Sequence, residues 1–233
     1  MYQVLVCDDD KEIVEAIRIY LTAEGYEVMT AYNGAQALDL VRAKAPHLAI
    51  LDIMMPILDG IHLTGKLREE GYHFPILFLS AKTEDTDKIL GLNIGADDYI
   101  TKPFRPLELI ARVKSALRRY TSFGTLDEQQ ADHIYSIGGL EINDDTKTVT
   151  VDGEAVRLTP TEYSMLLLLV QNRGRVFSTE QIYTAIWNEP SYGADNIVAV
   201  HIRHIREKIE INPREPRYLK VVWGLGYKID WQG

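Results

Sequence analysis

The first 120 residues alternate short apolar runs with amphipathic segments, and this alternation limits the possible folds more than any other feature. The apolar runs predict five strands, at residues 3–7, 27–32, 47–52, 75–80 and 98–101. The amphipathic segments predict five helices, at about residues 11–24, 34–44, 60–70, 84–94 and 106–119. Strands that alternate with helices form a doubly wound, mainly parallel α/β sheet. Two of the runs lack polar alternation, which is typical of strands covered on both faces.

A change of composition marks a second unit. Residues 121–134 keep no period of 2 or 3.6, so we predict a linker between domains at 1–120 and 135–233. Strand-like pieces around 135–158 are followed by three helices, which begin at Thr159, at Ser178 and at Asp195 or Asn196. A last strand pair, 218–223 and 227–231, is joined through glycines. Three helices followed by a β-hairpin predict an α+β winged helix-turn-helix domain.

Charge and cysteine content exclude several classes of protein. The formal net charge is −9, and both halves are acidic, so nucleic-acid binding requires a local basic surface. The single cysteine, Cys7, excludes an internal disulfide and is typical of a reducing compartment. The longest apolar run, 165–170, is too short to cross a bilayer, and the N-terminus lacks the basic region of a signal peptide. We therefore expect a cytoplasmic protein without a membrane segment.

Polar side chains follow four of the five predicted strands of the first unit, at the edge where parallel sheets bind ligands. They are Asp8, Asp9, Asp52, Ser80 and Lys102. Three carboxylates at one edge repel one another unless a cation lies between them, and Mg²⁺ or Mn²⁺ prefers such oxygen ligands. A lysine and a hydroxyl add donors for an anionic phosphoryl group. An aspartate can accept that group as an acyl phosphate, whereas a lone aspartate after a strand, such as Asp10, is usually a helix N-cap.

These residues resemble a known family, the receiver domains of two-component response regulators. The resemblance rests on Asp8-Asp9, on residues 51–56 (LDIMMP) with Asp59-Gly60, on residues 80–82 (SAK) and on residues 95–104 (GADDYITKPF). It implies a flavodoxin-like five-stranded fold and phosphorylation by a partner sensor histidine kinase.

The resemblance also implies a role for each residue of this edge. Asp52 becomes the phosphoacceptor, Lys102 binds the phosphoryl oxygen, and Ser80 and Tyr99 form a switch pair that rearranges on phosphorylation. The implied metal ligands are Asp9 and Asp52 directly, Asp8 through water, and the backbone carbonyl of Met54. The family has a cis peptide bond before the proline that follows the lysine, so we expect one between Lys102 and Pro103.

The last predicted helix, residues 195–210, has the pattern of a DNA-recognition helix. An apolar stripe recurs at helical spacing: Val198, Ile202, Ile205 and Ile209. Basic residues on the other faces can reach phosphates and base edges in a major groove. The alternative is a solvated face balanced by Glu207 and Glu210. Lys220 and Lys228 on the hairpin that follows favour DNA binding.

Residues 135–233 resemble the effector domain of the OmpR/PhoB family, through residues 158–163, 200–208 and 223–227. The residues implied to face promoter DNA are Val200, His201, Arg203, His204 and Arg206. His204 and Trp223 stand where many members have arginine, which changes the expected base preference. Residues 187–194 match the loop thought to contact RNA polymerase. Residues 105–114 and Trp223 are most similar to the VanR-type subgroup.

The receiver resemblance implies a dimer that forms on phosphorylation and binds two tandem half-sites. The family positions that form this two-fold interface are Lys88, Leu92, Asp98, Glu108, Ala111 and Arg112. The alternative is a pair within one helix, since Glu108 and Arg112 are four residues apart.

Two further functions compete with a transcription regulator. A phosphatase with an aspartate nucleophile needs a second acid two residues later, where this chain has Met54. An interaction protein with a decayed acceptor site would not retain the complete set of residues at the strand ends. We therefore expect a regulator and not an enzyme.

Overall fold

The computed structural model describes residues 2–81, 95–122, 134–187 and 195–230. The chain divides into two compact units, Met1–Tyr120 and Thr121–Gly233, and each is described by itself. Within the described residues, no helix is both long enough and apolar enough to span a bilayer.

The first unit is a five-stranded parallel sheet with the strand order β2-β1-β3-β4-β5, so the α/β prediction is confirmed. Its strands are β1 (Gln3–Cys7), β2 (Glu27–Ala31), β3 (Leu48–Asp52), β4 (Ile76–Ala81) and β5 (Asp98–Lys102). Its described helices are α1 (Lys11–Ala23), α2 (Gly34–Ala43), α3 (Gly60–Glu69) and α4 (Pro106–Ser122). The helix predicted at 84–94 lies outside the described residues.

Burial on both faces holds this sheet in place. Every residue of β1 and β3 is buried, as expected of strands covered by helices on both sides. One face packs against buried side chains of α1 and α4, among them Ile17, Leu21, Leu109 and Val113. The register places Asp52 opposite Leu79 and Ala81 opposite Lys102. The polar residues at the strand ends therefore meet at one edge.

Local signals fix the helices that begin at this edge. Asp10 is the N-cap of α1, since its side chain accepts hydrogen bonds from the backbone N–H groups of Glu12 and Ile13. The N-cap prediction for Asp10 is confirmed. At the start of α3, a Cβ on Gly60 would collide with the carbonyl oxygen of Asp52. Only glycine lets the chain pass this close behind Asp52.

The second unit has a four-stranded antiparallel sheet, three described helices and a C-terminal hairpin, as predicted for a winged helix-turn-helix. The sheet contains β6 (Ile134–Ile137), β7 (Leu140–Asn143), β8 (Thr148–Val151) and β9 (Glu154–Ala155). The other elements are α5 (Pro160–Gln171), α6 (Thr179–Trp187), α7 (Asp195–Ile209), β10 (Leu219–Val222) and β11 (Gly226–Ile229). The predicted linker falls mostly outside the described residues, and α4 extends into it as far as Ser122.

Two features position α7 for function. The predicted apolar stripe is buried: Val198, Ile202, Ile205 and Ile209 are at most 2% exposed. The helix packs against both α5 and α6. The β10–β11 hairpin is tied to the segment before α6 by paired backbone hydrogen bonds between Phe177 and Tyr227. The hairpin therefore forms the wing beside α7.

Candidate functional site

The strand-end residues of the first unit form one acidic site around a lysine. Lys102 Nζ lies 2.6 Å from Asp8 Oδ2 and 2.9 Å from Asp52 Oδ1. Asp8, Asp52 and Ser80 are buried, whereas Asp9 is exposed. One carboxylate oxygen from each of the three aspartates lies within 4.8 Å of the other two. The structure thus brings together four of the five residues that the sequence placed at this edge, and Ser80 lies on the neighbouring strand β4.

Burial and charge set the ionisation of this site. Burial raises the pKa of Asp52 above its ordinary value, and the hydrogen bond from Lys102 only partly opposes this. Burial alone would lower the pKa of Lys102, but its contacts with Asp8 and Asp52 outweigh burial and raise it. Lys102 therefore stays protonated in contact with Asp8 and Asp52, and the three aspartates of the site outnumber this one lysine.

A divalent cation fits this donor set. Three carboxylates face a single described cationic group, Lys102, and their oxygens are close enough to share one ion. Mg²⁺ and Mn²⁺ favour oxygen ligands of this kind. Met54, the fourth predicted ligand, follows β3 directly and lines an open pocket of about 570 Å³ together with Asp9 and Asp59. Its backbone carbonyl remains a predicted ligand.

Cys7 is the last residue of β1 and directly precedes Asp8. It is fully buried, and its Sγ–H donates to Met55 Sδ at 3.2 Å. Burial, together with the charges of Asp8 and Asp52, raises the pKa of the Cys7 thiol to about 12. The interpretation of Cys7 as a small buried hydrophobe is confirmed.

The remaining predicted residues of the site lie on β4 and β5. Ser80 and Tyr99 are on these neighbouring strands, with Ser80 buried and Tyr99 half-buried. Their pairing as a switch stays a prediction. The peptide bond between Lys102 and Pro103 is cis, as the resemblance implied.

Two of the predicted dimer-interface residues on α4, Glu108 and Arg112, contact each other, and Arg112 also contacts Asp98. Arg112 Nη1 donates to Asp98 Oδ2 at 2.8 Å, and Arg112 also lies 3.3 Å from Glu108. Asp98 is 1% exposed, and its charge is compensated by Arg112. Ala111 is exposed on α4. Lys88 and Leu92 lie outside the described residues.

The structure corrects three of the five residues expected to face DNA. Val200, His201 and His204 are buried, so they are not surface residues in this conformation. His201 is enclosed because its ring lies 5.8 Å from that of Trp187, and His204 because its Nδ1 lies 3.8 Å from Glu162 Oε1. The sequence carried a signal for His201, which follows Val198 by three residues and precedes Ile205 by four. These spacings place it on the apolar stripe.

Arg203 and Arg206 have different surroundings. Arg203 is exposed and pairs only with Glu207, at 2.8 Å, among the described contacts. Arg206 is half-buried, and its Nε donates to the carbonyl oxygen of Leu219 on β10 at 2.9 Å. Burial lowers the pKa of Arg206, although a guanidinium remains charged at neutral pH. Arg206 therefore holds the wing against α7.

The alternative interpretation of α7, a solvated face balanced by Glu207 and Glu210, holds for Glu207 only, which pairs with Arg203 on the surface. Glu210 is buried and accepts backbone hydrogen bonds from Arg217, Tyr218 and Leu219, so it fixes the start of β10. The exposed side of α7 contains two residues that the sequence reasoning missed, Asn196 and Ala199. The signal was available, because both lie at helical spacing from Arg203.

The wing presents both charge and apolar surface. Lys220 and Lys228 stand opposite each other in the β10–β11 register. Lys228 is also paired with Asp230 at 2.8 Å. At the tip, Trp223 is 89% exposed and Leu225 is 63% exposed. Among the described residues of this unit, the wing and the exposed side of α7 thus both present residues suited to DNA.

Comparison with known proteins agrees with this architecture. Residues 4–114 match the family model for the response regulator receiver domain, and residues 153–229 match that for the C-terminal domain of transcriptional regulatory proteins. The regulatory protein VanR of Enterococcus faecium is 44% identical over 229 residues, which are 98% of each chain. The alkaline phosphatase synthesis transcriptional regulatory protein PhoP of Bacillus subtilis is 42% identical over 231 residues, covering 98% of this chain and 96% of PhoP.

Solved structures give the same result. The response regulator DrrB of Thermotoga maritima, an OmpR/PhoB homologue, is 32% identical with a TM-score of 0.52 and covers 98% of this chain and 99% of its own. A mutant of RitR has a TM-score of 0.77 over the full length of both chains, and at 24% identity it supports the fold alone. The chain belongs to the OmpR/PhoB family of two-component response regulators.

Proposed function

We propose that this protein is a transcription regulator whose binding to promoter DNA is controlled by phosphorylation of Asp52. The observation that carries the proposal is the position of Asp52 at the end of β3, where it contacts Lys102 and lies close to two further carboxylates. It is joined in one chain to a winged helix unit with an exposed arginine on its last helix.

Phosphorylation proceeds by in-line transfer to a carboxylate oxygen of Asp52. In a partner histidine kinase, the phosphorus–nitrogen bond of the phosphohistidine breaks as the new oxygen–phosphorus bond forms, and the imidazole leaves with the electron pair. A bound Mg²⁺ supplies electrostatic stabilisation for the transferred group. Lys102 Nζ lies 2.9 Å from Asp52 Oδ1, so it is close enough to pair with the oxygens of the new phosphoryl group. The chain acts as acceptor and not as an enzyme on other substrates.

The residues proposed to bind the metal are Asp8, Asp9, Asp52 and the Met54 carbonyl. The donor set supports this assignment, since the carboxylates leave the site with excess negative charge around one lysine. Ser80 and Tyr99 are proposed to respond to the phosphoryl group, because Ser80 lies on β4, next to the strand of Asp52, and Tyr99 on β5, next to the strand of Ser80.

The response proposed for the whole protein is dimerisation through α4 and β5, followed by binding to two tandem half-sites. The exposed position of Ala111 supports a surface there. Asp98 and Arg112 already pair within the chain, so an intermolecular pair requires this contact to rearrange. RNA polymerase is a further proposed partner through residues 187–194, of which only Trp187 is described. A cytoplasmic location agrees with all these partners.

Intact-mass measurement after treatment with a small acyl-phosphate donor tests the acceptor assignment. We expect one phosphoryl group on the wild type in Mg²⁺, none on Asp52→Asn, and none when a chelator removes the metal. Asp39→Asn is the matched control, because Asp39 is exposed on α2 away from the site and should keep the full mass gain. Full mass gain in Asp52→Asn, or in the chelator, would refute the assignment.

A further inference from the structure

The second unit contains a buried cluster that DNA binding does not explain. Glu162 on α5 and His201 and His204 on α7 each offer one ligand atom, and these three atoms lie within 4.8 Å of one another. Glu162 is 1% exposed, His201 1% and His204 7%. Polar groups are rarely buried together without a binding partner or a structural role.

We propose that Glu162, His201 and His204 form a binding site for a divalent transition metal, with Zn²⁺ as the best fit. Two imidazole nitrogens and one carboxylate oxygen are a ligand set that zinc uses with a water in the fourth position. Imidazole ligands select against Mg²⁺ and Ca²⁺, which require mainly oxygen. This site is therefore chemically distinct from the acidic site of the first unit.

The two oxygens of Glu162 have separate surroundings. Oε2 accepts a hydrogen bond from the backbone N–H of Thr159 at 2.8 Å and from Lys208 Nζ at 2.6 Å. Oε1 faces the histidines and lies 3.8 Å from His204 Nδ1. Outer contacts of this type orient a metal-binding carboxylate and leave one oxygen directed at the ion. Glu162 is thus held in place by the capping box of α5.

The imidazole rings are also restrained. The His201 ring lies 5.8 Å from the Trp187 ring at an interplanar angle of 40°, and 6.4 Å from the His204 ring at 86°. Both rings have a nitrogen within 4.8 Å of a carboxylate oxygen of Glu162, which lies in the N-terminal turn of α5. A metal ion at this point would link α5 directly to the recognition helix.

Lys208 is the one described cation in contact with Glu162, and it opposes metal binding. Its ammonium group neutralises the carboxylate and would repel a divalent ion nearby. Removing this charge should therefore strengthen metal binding, whereas removing an imidazole should weaken it. If the cluster is only a structural hydrogen-bond network, neither substitution should change the affinity for zinc.

Zinc titration of the full-length protein, in excess Mg²⁺ to occupy the acidic site, tests the proposal. We expect one Zn²⁺ per wild-type chain, weaker binding by about a hundredfold in His204→Gln, and tighter binding by about tenfold in Lys208→Met. Saturating Zn²⁺ should raise the melting temperature of the wild type by about 5 °C and that of His204→Gln by less. Asp9→Asn is the matched control and should retain the zinc site.

Co²⁺ provides a readout of the ligands themselves, since its visible absorption reports coordination geometry. A cobalt spectrum present in wild type and Asp9→Asn but absent in His204→Gln would support the assignment. Circular dichroism of each metal-free variant verifies that it is folded. The proposal is overturned if the wild type binds no Zn²⁺ in excess Mg²⁺. It is also overturned if the bound zinc is lost in Asp9→Asn but retained in His204→Gln, or if folded Lys208→Met binds no more tightly.

Discussion

Two neighbouring arginines on α7 provide a sharp test of how this family member binds DNA, because the structure gives them different roles. Arg203 is exposed, whereas Arg206 is half-buried and bonded to the wing. Arg203→Ala and Arg206→Ala remove the same type of side chain from positions three residues apart. We expect both variants to lose DNA affinity, but Arg206→Ala to lose much more stability than Arg203→Ala.

The contacts of each arginine set the expected magnitudes. Arg203 loses only an exposed ion pair with Glu207, which is worth about 0.3–0.5 kcal/mol. Arg206→Ala removes a charge-assisted hydrogen bond to the carbonyl oxygen of Leu219, which is a fully buried residue. It also removes the half-buried aliphatic part of the arginine side chain. Such a hydrogen bond contributes about 1.5–3 kcal/mol. At about 4 °C per kcal/mol, the melting temperature of the second unit should fall by about 6–12 °C in Arg206→Ala.

DNA binding separates the two effects further. If Arg203 contacts a phosphate, Arg203→Ala should weaken binding to all sequences and flatten the salt dependence by about one unit. If it contacts a base, the loss should be about 1–3 kcal/mol and confined to one position of the site. Thermal melting and fluorescence anisotropy at several salt concentrations measure both quantities. Equal melting temperatures for the two variants would refute the role given to Arg206, and unchanged affinity in both would refute α7 as the recognition helix.

Two further predictions concern the first unit. Arg112→Glu should lower the free energy of unfolding of this unit by about 3–5 kcal/mol, because the buried Asp98 loses its partner. Glu108→Gln should lower it by under about 1 kcal/mol, because its ion pair with Arg112 is partly exposed. Equal losses for the two variants in denaturant unfolding would contradict this prediction. Burial raises the pKa of Asp52 above 3.8, so its ionisation destabilises the folded state as the pH rises from 3.8 through the folded pKa. At neutral pH and without metal, Asp52→Asn should therefore have a higher melting temperature than the wild type. The difference should become smaller toward pH 3.8 and when Mg²⁺ is added. A lower melting temperature for Asp52→Asn than for the wild type in metal-free buffer would exclude this account.

The contact between Arg112 and Asp98 changes how dimerisation has to be tested. Poor dimerisation of Arg112→Glu would follow from a destabilised monomer as well as from a lost interface. The exposed Ala111 offers a cleaner substitution, because it changes the proposed surface without removing the partner of Asp98. Sedimentation of phosphorylated Ala111→Arg beside the wild type measures the interface itself.

The sequence was sufficient for the order of elements and for the acidic site. Parallel strands direct their carboxyl ends to one edge, so polar residues after successive strands are brought together once the strand order is known. Asp8, Asp52 and Lys102 meet for this reason. The cap at Asp10 and the buried stripe of α7 were equally local, since each depends only on residues within one helix.

Only the tertiary structure decided which residues beside the apolar stripe of α7 are buried, and which residue pairs with Arg112 on α4. A helical period identifies the centre of a buried face but not its width, which depends on the elements packed beside it. His204 is buried because Glu162, distant in sequence, lies against it. Likewise, Arg112 has Glu108 within reach on its own helix, but its contact with Asp98 depends on how α4 packs beside β5. Periodicity reports local geometry, whereas these contacts arise from packing between segments far apart in the chain.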